Sequence, residues 1–267
     1  MISKSLREIK TSSILSFYCI GYITFTGAQS TTWVVPSDVT RIRALLVGGG
    51  GGGANGRFGG GGSGRLTVIE GLNVSPGTSY SVVVGRGGNG ANRRSDNEII
   101  GIENGVASQL GSFSAAGGVG PATYFVGGAG GSGGAAGGLL CPGVYGGTAG
   151  SNGIKCNKYD GGPGESATGF SKLSIFKHKK FTAGAGGSPS AGWFVSNTWN
   201  AGGGGGGVVM NGDTSVKGGS GNCPSGQATG GVGYGGGGAA GGGIADKYSD
   251  RYAGGKGQAG LVYIEWD

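Results

Sequence analysis

The chain has 267 residues, of which 72 are Gly and only 7 are Pro, against a usual glycine share of about 7%. Irregular glycine spacing with so little proline excludes a collagen triple helix, and no run of about 18 uninterrupted apolar residues supports a membrane-spanning helix. Twenty Lys and Arg against 13 Asp and Glu give a net charge of +7, but with only 12% charged residues the chain lacks the basic stripe of a nucleic-acid binder.

Residues 1–30 read as an N-terminal attachment arm. Lys4, Arg7 and Lys10 precede an apolar stretch, as in a secretion signal. Ser16, Gly21 and Thr24 interrupt that stretch, while Phe17, Cys19, Ile23 and Phe25 alternate along it, which favours a β-rich arm. From residue 31 the pattern is that of strands. Residues 33–35 precede a Pro36-Ser37-Asp38 turn, and RIRALLV at 41–47 places Ile42, Ala44 and Leu46 on one face. RLTVIEGLNV at 65–74, a Ser75-Pro76-Gly77 turn, SYSVVV at 79–84, a short hairpin at 106–116 and LVYIEW at 261–266 complete the set. This predicts an all-β/irregular fold: a small β-sandwich base (31–47, 65–84, 106–116, 261–266) in a glycine-rich domain spanning 31–267. The glycine-rich excursion, mainly 117–260, is carried on that base.

Glycine runs occur at 48–53, 59–64, 127–138, 202–207, 230–243 and 254–260. The run 127–138, GGAGGSGGAAGG, comes close to a period of three, the period of an extended left-handed helix with three residues per turn. Such a helix makes no internal hydrogen bonds, so when buried its N–H and C=O groups must pair with a neighbour or each cost about 1–3 kcal/mol. Neighbouring axes come close enough only where no Cβ intervenes. The runs are therefore expected to form a bundle of polyglycine II helices, with the intervening stretches, 54–58, 90–105, 139–160 and 165–200 among them, as loops. A flexible linker is the alternative reading of such composition. It fits poorly with segments rich in Trp, Phe and Tyr.

Four sequence blocks point to a family: TTWVVPSDVTRIRALLVGGGGGG (31–53), GRLTVIEGLNVSPGTSYSVVVGRGGNG (64–90), ASQLGSFSAAGG (107–118) and GKGQAGLVYIEW (255–266). Their strand, Pro turn, strand and poly-Gly order resembles the glycine-rich domains of bacteriophage tail-fibre and adhesin proteins. The resemblance covers about 31–267, and residues 1–30 do not share it. It implies a distal, virion-borne receptor-binding element with glycine helices as scaffold and loops as contact surface. The partners implied are a host surface glycan, lipopolysaccharide or outer-membrane protein, and another virion fibre or tail protein met through residues 1–30, in a larger assembly whose base is either a homotrimer or a monomer capping another fibre.

Nothing in the sequence assembles a catalytic centre, and no enzyme activity, cofactor or metal is expected. His178, the single histidine, sits in KHKK without an acid or nucleophile at a recognisable spacing. Asp246 and Asp250 form the nearest approach to paired carboxylates, and no glycine run leads into Lys-Ser or Lys-Thr as a phosphate loop requires. Cys19, Cys141, Cys156 and Cys223 include no CxxC pair; Cys141 and Cys156 either close a disulfide loop or remain free buried thiols. The binding candidates are loop residues. Trp193, Phe194 and Trp199 lie among adaptable polar groups suited to sugars or protein loops, unless they cover the flanks of the bundle. Lys177, Lys179 and Lys180 would complement an acidic glycan or form a solvated loop; Tyr124 and Phe125 form a second tip, and Arg93, Arg94 and Asp96 a third. A receptor-binding adhesin is the leading expectation. A structural virion component (head decoration or fibre segment) and an ice-binding protein are the alternatives.

Overall fold

A computed structural model describes residues 21–54, 59–91, 101–121, 128, 130, 170–183, 198–199, 204–210, 231, 233–238, 243–244 and 253–267. Its strands are β1 (Gly21–Thr26), β2 (Gln29–Val34), β3 (Arg41–Val47), β4 (Leu66–Asn73), β5 (Ser79–Val84), β6 (Ser108–Leu110) and β7 (Phe113–Ala115). They are followed by β8 (Phe181–Ala183), β9 (Thr198–Trp199), β10 (Val208–Met210), β11 (Gly243–Ile244) and β12 (Leu261–Trp266), with one 3-10 helix at Phe170–Ile175. The fold is all-β with irregular glycine-rich segments.

Two four-stranded antiparallel sheets face each other, in the orders β1-β12-β3-β4 and β2-β5-β6-β7. Alternation along β3 sends Ile42, Ala44 and Leu46 inward, as its sequence predicts. There they meet Val262 and Ile264 of the first sheet and Trp33, Val82, Val84 and Leu110 of the second, all buried. Residues 21–30, expected to be part of an arm, belong to this sandwich. β1 pairs along its whole length with β12, and Ile23 and Phe25 pack on the core.

A third layer covers the opposite face of the first sheet. Leu45, Val47, Leu261 and Tyr263 point away from the sandwich core and are buried under Leu173, Phe176, Phe181 and Val208. Phe176, Phe181 and Tyr263 meet edge to face, with ring centroids 5.1–5.5 Å apart. β12 is thus buried on both sides, which explains why LVYIEW reads as a nearly continuous apolar run instead of an alternating one. Residues 170–183, expected as a loop of the glycine bundle, are this cover.

The chain leaves β3 directly into the run 48–54, the axis of the bundle. Successive N–H groups of this run point in three directions. Gly48, Gly51 and Ala54 donate to Arg65, Gly62 and Gly59; Gly49 and Gly52 donate to Val106 and Glu103; Gly50 and Gly53 donate to Gln258 and Gly255. In each series the acceptor number falls by three as the donor number rises by three, so the run has three antiparallel neighbours and a threefold screw. Its carbonyls accept from three others: Gly49 from Gly118, Gly50 and Gly53 from Gly88 and Ala91, and Gly51 from Gly238. The six neighbours also bond to one another, closing a ring in the order 59–65, 116–120, 103–106, 85–91, 254–260 and 235–238. Antiparallel and parallel directions alternate around it. The result is a hexagonal polyglycine II bundle with 48–54 at its centre, so the bundle begins well before residue 117.

Close approach dictates the glycines at the axis. A Cβ on Gly48, Gly49, Gly50 or Gly52 would overlap the carbonyl oxygen of Ala116, Arg86, Gly236 or Asn89 respectively. Ring segments need glycine where they face the axis, as at Gly105, or a ring neighbour, as at Gly87 and Gly118, but not on the solvent side. Arg86 and Asn89, and likewise Ala116 and Val119, recur every third residue on the solvent side. Segments 85–91 and 103–106 therefore join the ring despite their mixed composition, and Arg86 and Glu103 form an ion pair across the two. Substituting Gly52→Ala should lower stability by about 3 kcal/mol or more, because backbone must move and hydrogen bonds break. Gly77→Ala, at a turn with φ +76° and open space around it, should cost only about 1–2 kcal/mol. Urea denaturation distinguishes the two, and equal losses would show that close packing at the axis is not the constraint.

Candidate functional site

The topology separates two ends. β3, β5 and β12 join the bundle at one end of the sandwich. The described ends of the glycine segments, Ala54, Gly59, Ala91, Pro121, Gly238 and Ala253, gather at the far end of the bundle. Cross-bonds fix this grouping: Ala54 N–H donates to Gly59, Ala91 N–H to Gly53, Gly254 N–H to Ala91 and Gly61 N–H to Gly238. Tyr124 and Phe125 lie in the connection that follows Pro121, and Arg93, Arg94 and Asp96 in the one that follows Ala91. Both groups fall outside the described residues, as do Trp193, Phe194, Cys141, Cys156, Asp246 and Asp250. Trp199 lies in β9, paired with β11.

The lysine cluster lies elsewhere, at the opposite end of the sandwich. Glu265, fully buried on the outer face of β12, is its organising group. The Lys177 N–H donates to both Glu265 carboxylate oxygens (3.0 and 3.1 Å), and the His178 N–H donates to Oε2 (3.2 Å). The Tyr263 hydroxyl, two residues back on the same face, donates to Oε2 at 2.9 Å, and Arg43, opposite on β3, reaches Oε1 at 3.4 Å. A buried carboxylate is tolerable only with its lone pairs satisfied in this way. Burial, then the Glu265 hydrogen bond and charge, push the Tyr263 hydroxyl far up, so it stays a donor throughout the neutral range. Every oxygen of Glu265 is engaged and none meets solvent. The group fastens a loop and is closed to substrate.

The lysines are drawn into that fastening. Lys177 Nζ bonds both Asp267 carboxylate oxygens at 3.0 Å, and Arg43 Nη2 bonds Oδ2 at 2.6 Å. His178 stacks on Tyr22 of β1, with centroids 5.6 Å apart, and Lys179 Nζ stands 4.7 Å from the centre of the same ring. Lys180 is exposed, and among the described residues no ring or carboxylate holds it. A cleft of about 120 Å³ lies beside the cluster, lined by Thr40, Arg41, Ile42, Arg43, Glu265, Trp266 and Asp267. Its volume suits a few waters, well below the several hundred Å³ of a typical small-molecule site. Sequence reading picked out the lysines but not Glu265, Tyr263, Arg43, Asp267 or Tyr22. The available signal was a lone acid inside the otherwise apolar LVYIEW.

A β-sandwich base carrying a backbone-bonded glycine bundle defines a class of domain, and comparison of families agrees. The profile of the glycine-rich domain family matches residues 24–267, and the chain belongs to that family. The match begins within β1, consistent with residues 21–30 being part of the sandwich. No curated protein sequence matches the chain.

Glu265→Ala should cost about 3–5 kcal/mol, since Arg43, the Tyr263 hydroxyl and two backbone N–H groups lose their acceptor. It should also accelerate tryptic cleavage at Lys177, Lys179 and Lys180 at least tenfold before global unfolding. Unchanged cleavage would show that 176–180 is held by something else. Asp267 titrates separately. Hydrogen bonds from Arg43, then Lys177, hold its carboxyl down to about 2 from an ordinary 3.8. A lowered folded value means the contribution is complete above the unfolded value and disappears as pH falls through the folded one. The stability curve should therefore bend downward between about pH 4 and pH 2, and Asp267→Asn should flatten that limb. The amplitude should stay below about 1 kcal/mol, because the pair is solvent-screened.

Proposed function

We propose that this chain is a virion surface adhesin that contacts a host cell-surface receptor through the connections at the far end of its glycine bundle. The observation that carries the reading is the gathering of those connections' described ends around one cross-bonded hexagon. A ligand meeting loops rooted on such a frame orders less chain on binding, so more of the contact energy appears as affinity. Tyr124 and Phe125 supply ring area at low entropy cost, and Arg93 and Arg94, in the connection that follows Ala91, are cationic candidates for an acidic sugar or lipopolysaccharide. Trp193, Phe194 and Trp199 remain further candidates. The sandwich end, where β1 begins, serves in this reading as the side turned toward the rest of the particle, and its lysines act in holding the cover layer.

The test is saturable binding of the purified chain to a panel of bacterial cells and to immobilised lipopolysaccharide. Tyr124→Ala with Phe125→Ala should weaken binding about tenfold or more, equivalent to about 1.4 kcal/mol, with thermal stability unchanged. Lys177→Ala should leave binding as it was. No saturable binding to any cell or lipopolysaccharide would favour a structural virion component instead.

A further inference from the structure

The two sides of the sandwich are finished differently. On one side, β4 carries Glu70 bridged to Lys172 of the cover at 2.8 Å, and β7 is only three residues long. The Thr67 hydroxyl of β4 also donates to the Ser114 carbonyl of β7 at 2.8 Å, stitching the two edges together. Charge, shortness and cross-linking are the usual means by which a sheet edge is kept from pairing with other chains.

On the other side, among the described residues, β2 has none of these. That side is formed by β1 and β2, the outermost strands of their sheets, joined by the Gly27-Ala28 turn. Residues 11–37 contain no charged side chain. β2, QSTTWV, spans six residues without proline or bulge; among the described residues it pairs with β5 alone, in continuous register, and all its residues but Trp33 are exposed. Val34 is 54% exposed. The neighbouring outward positions on β5, Ser79, Ser81 and Val83, are likewise uncharged. In a chain of net charge +7, this is where two copies approach without like charges opposing. The Lys177–Lys180 cluster borders β1 on the outer face of the other sheet and does not lie on β2.

We infer that β2 is a homotypic docking edge: two copies of this chain pair β2 with β2, antiparallel about a two-fold axis, joining the two four-stranded sheets into one of eight strands. Paired residues in a continuous sheet point to the same face, so the axis sets a residue opposite its own copy. Near the middle of β2 that residue is Thr31 or Thr32, and Thr–Thr pairs are favourable cross-strand neighbours. This inference is independent of the receptor reading.

Sedimentation velocity over a hundredfold concentration range tests it. The native chain should show a concentration-dependent monomer–dimer equilibrium. Thr31→Lys with Thr32→Lys should be monomeric at every concentration, as should Thr31→Glu with Thr32→Glu, each keeping the native melting curve. An equimolar mixture of the two variants should restore the dimer, because opposite charges then meet across the axis. A native chain that stays monomeric overturns the inference. So does a dimer that either variant leaves intact, or variants that do not recombine on mixing.

Discussion

An amide donating to a carbonyl on a neighbouring chain segment, three times per helical turn and in three directions, holds the bundle together. In a pleated sheet each strand has two neighbours, because its donors and acceptors lie in one plane. A threefold screw spreads the same groups around the axis, so the run 48–54 bonds to six segments at once. The geometry works only if axes approach to within the reach of an N–H···O bond along every direction, and a Cβ on any residue from 48 to 52 would meet a backbone carbonyl group. Glycine is thereby required for packing, and its entropic cost is offset by the density of bonds that its absent side chain permits.

The sandwich gives this bundle its register. β3, β5 and β12 are already aligned by hydrophobic burial when they pass into glycine, so segments 48–54, 85–91 and 254–260 start side by side. Side-chain packing at one end sets the phase, and backbone pairing carries it away from the core. Two kinds of cohesion therefore meet at Val47, Val84 and Leu261, all buried. Ser108, buried there too, joins them: its hydroxyl donates to the Val47 carbonyl at 2.6 Å and accepts from the Gly85 N–H at 2.9 Å.

Much of this was legible in the residues, and the exceptions have physical reasons. Alternation marked the inward face of β3, and long glycine runs marked the bundle, because only one architecture buries so much bare backbone. Segments 85–91 and 103–106 escaped notice since outward positions of a ring helix tolerate any side chain, leaving a diluted signal. The boundary at residue 30 failed because β1 is an edge strand with polar and glycine positions, and its partner β12 lies more than 200 residues away. Phe176 and Phe181 have the composition of a binding loop, and only the apolar outer face of β12 makes them a cover. Glu265 is the hardest case: a buried charge is explained by its partners, and these come from the 176–180 turn, from β3 and from β12 itself. The lysines were visible for the same reason that they mislead, since charge on a loop reads alike whether it greets a ligand or an internal carboxylate.

β12 occupies the middle of its sheet, between β1 and β3, yet it is the last of these strands to be synthesised. Until residues 254–266 are made, β1 lacks the strand it pairs with, the Phe176–Phe181 cover has no Tyr263 to rest on, and the bundle lacks segment 254–260. The sheet is completed by contacts between strands more than 200 residues apart, a long-range topology that slows assembly. A chain lacking these residues would keep β3–β4 and the second sheet but lose the strand on which β1, the core and the cover all rest, so β12 is the keystone of the assembly.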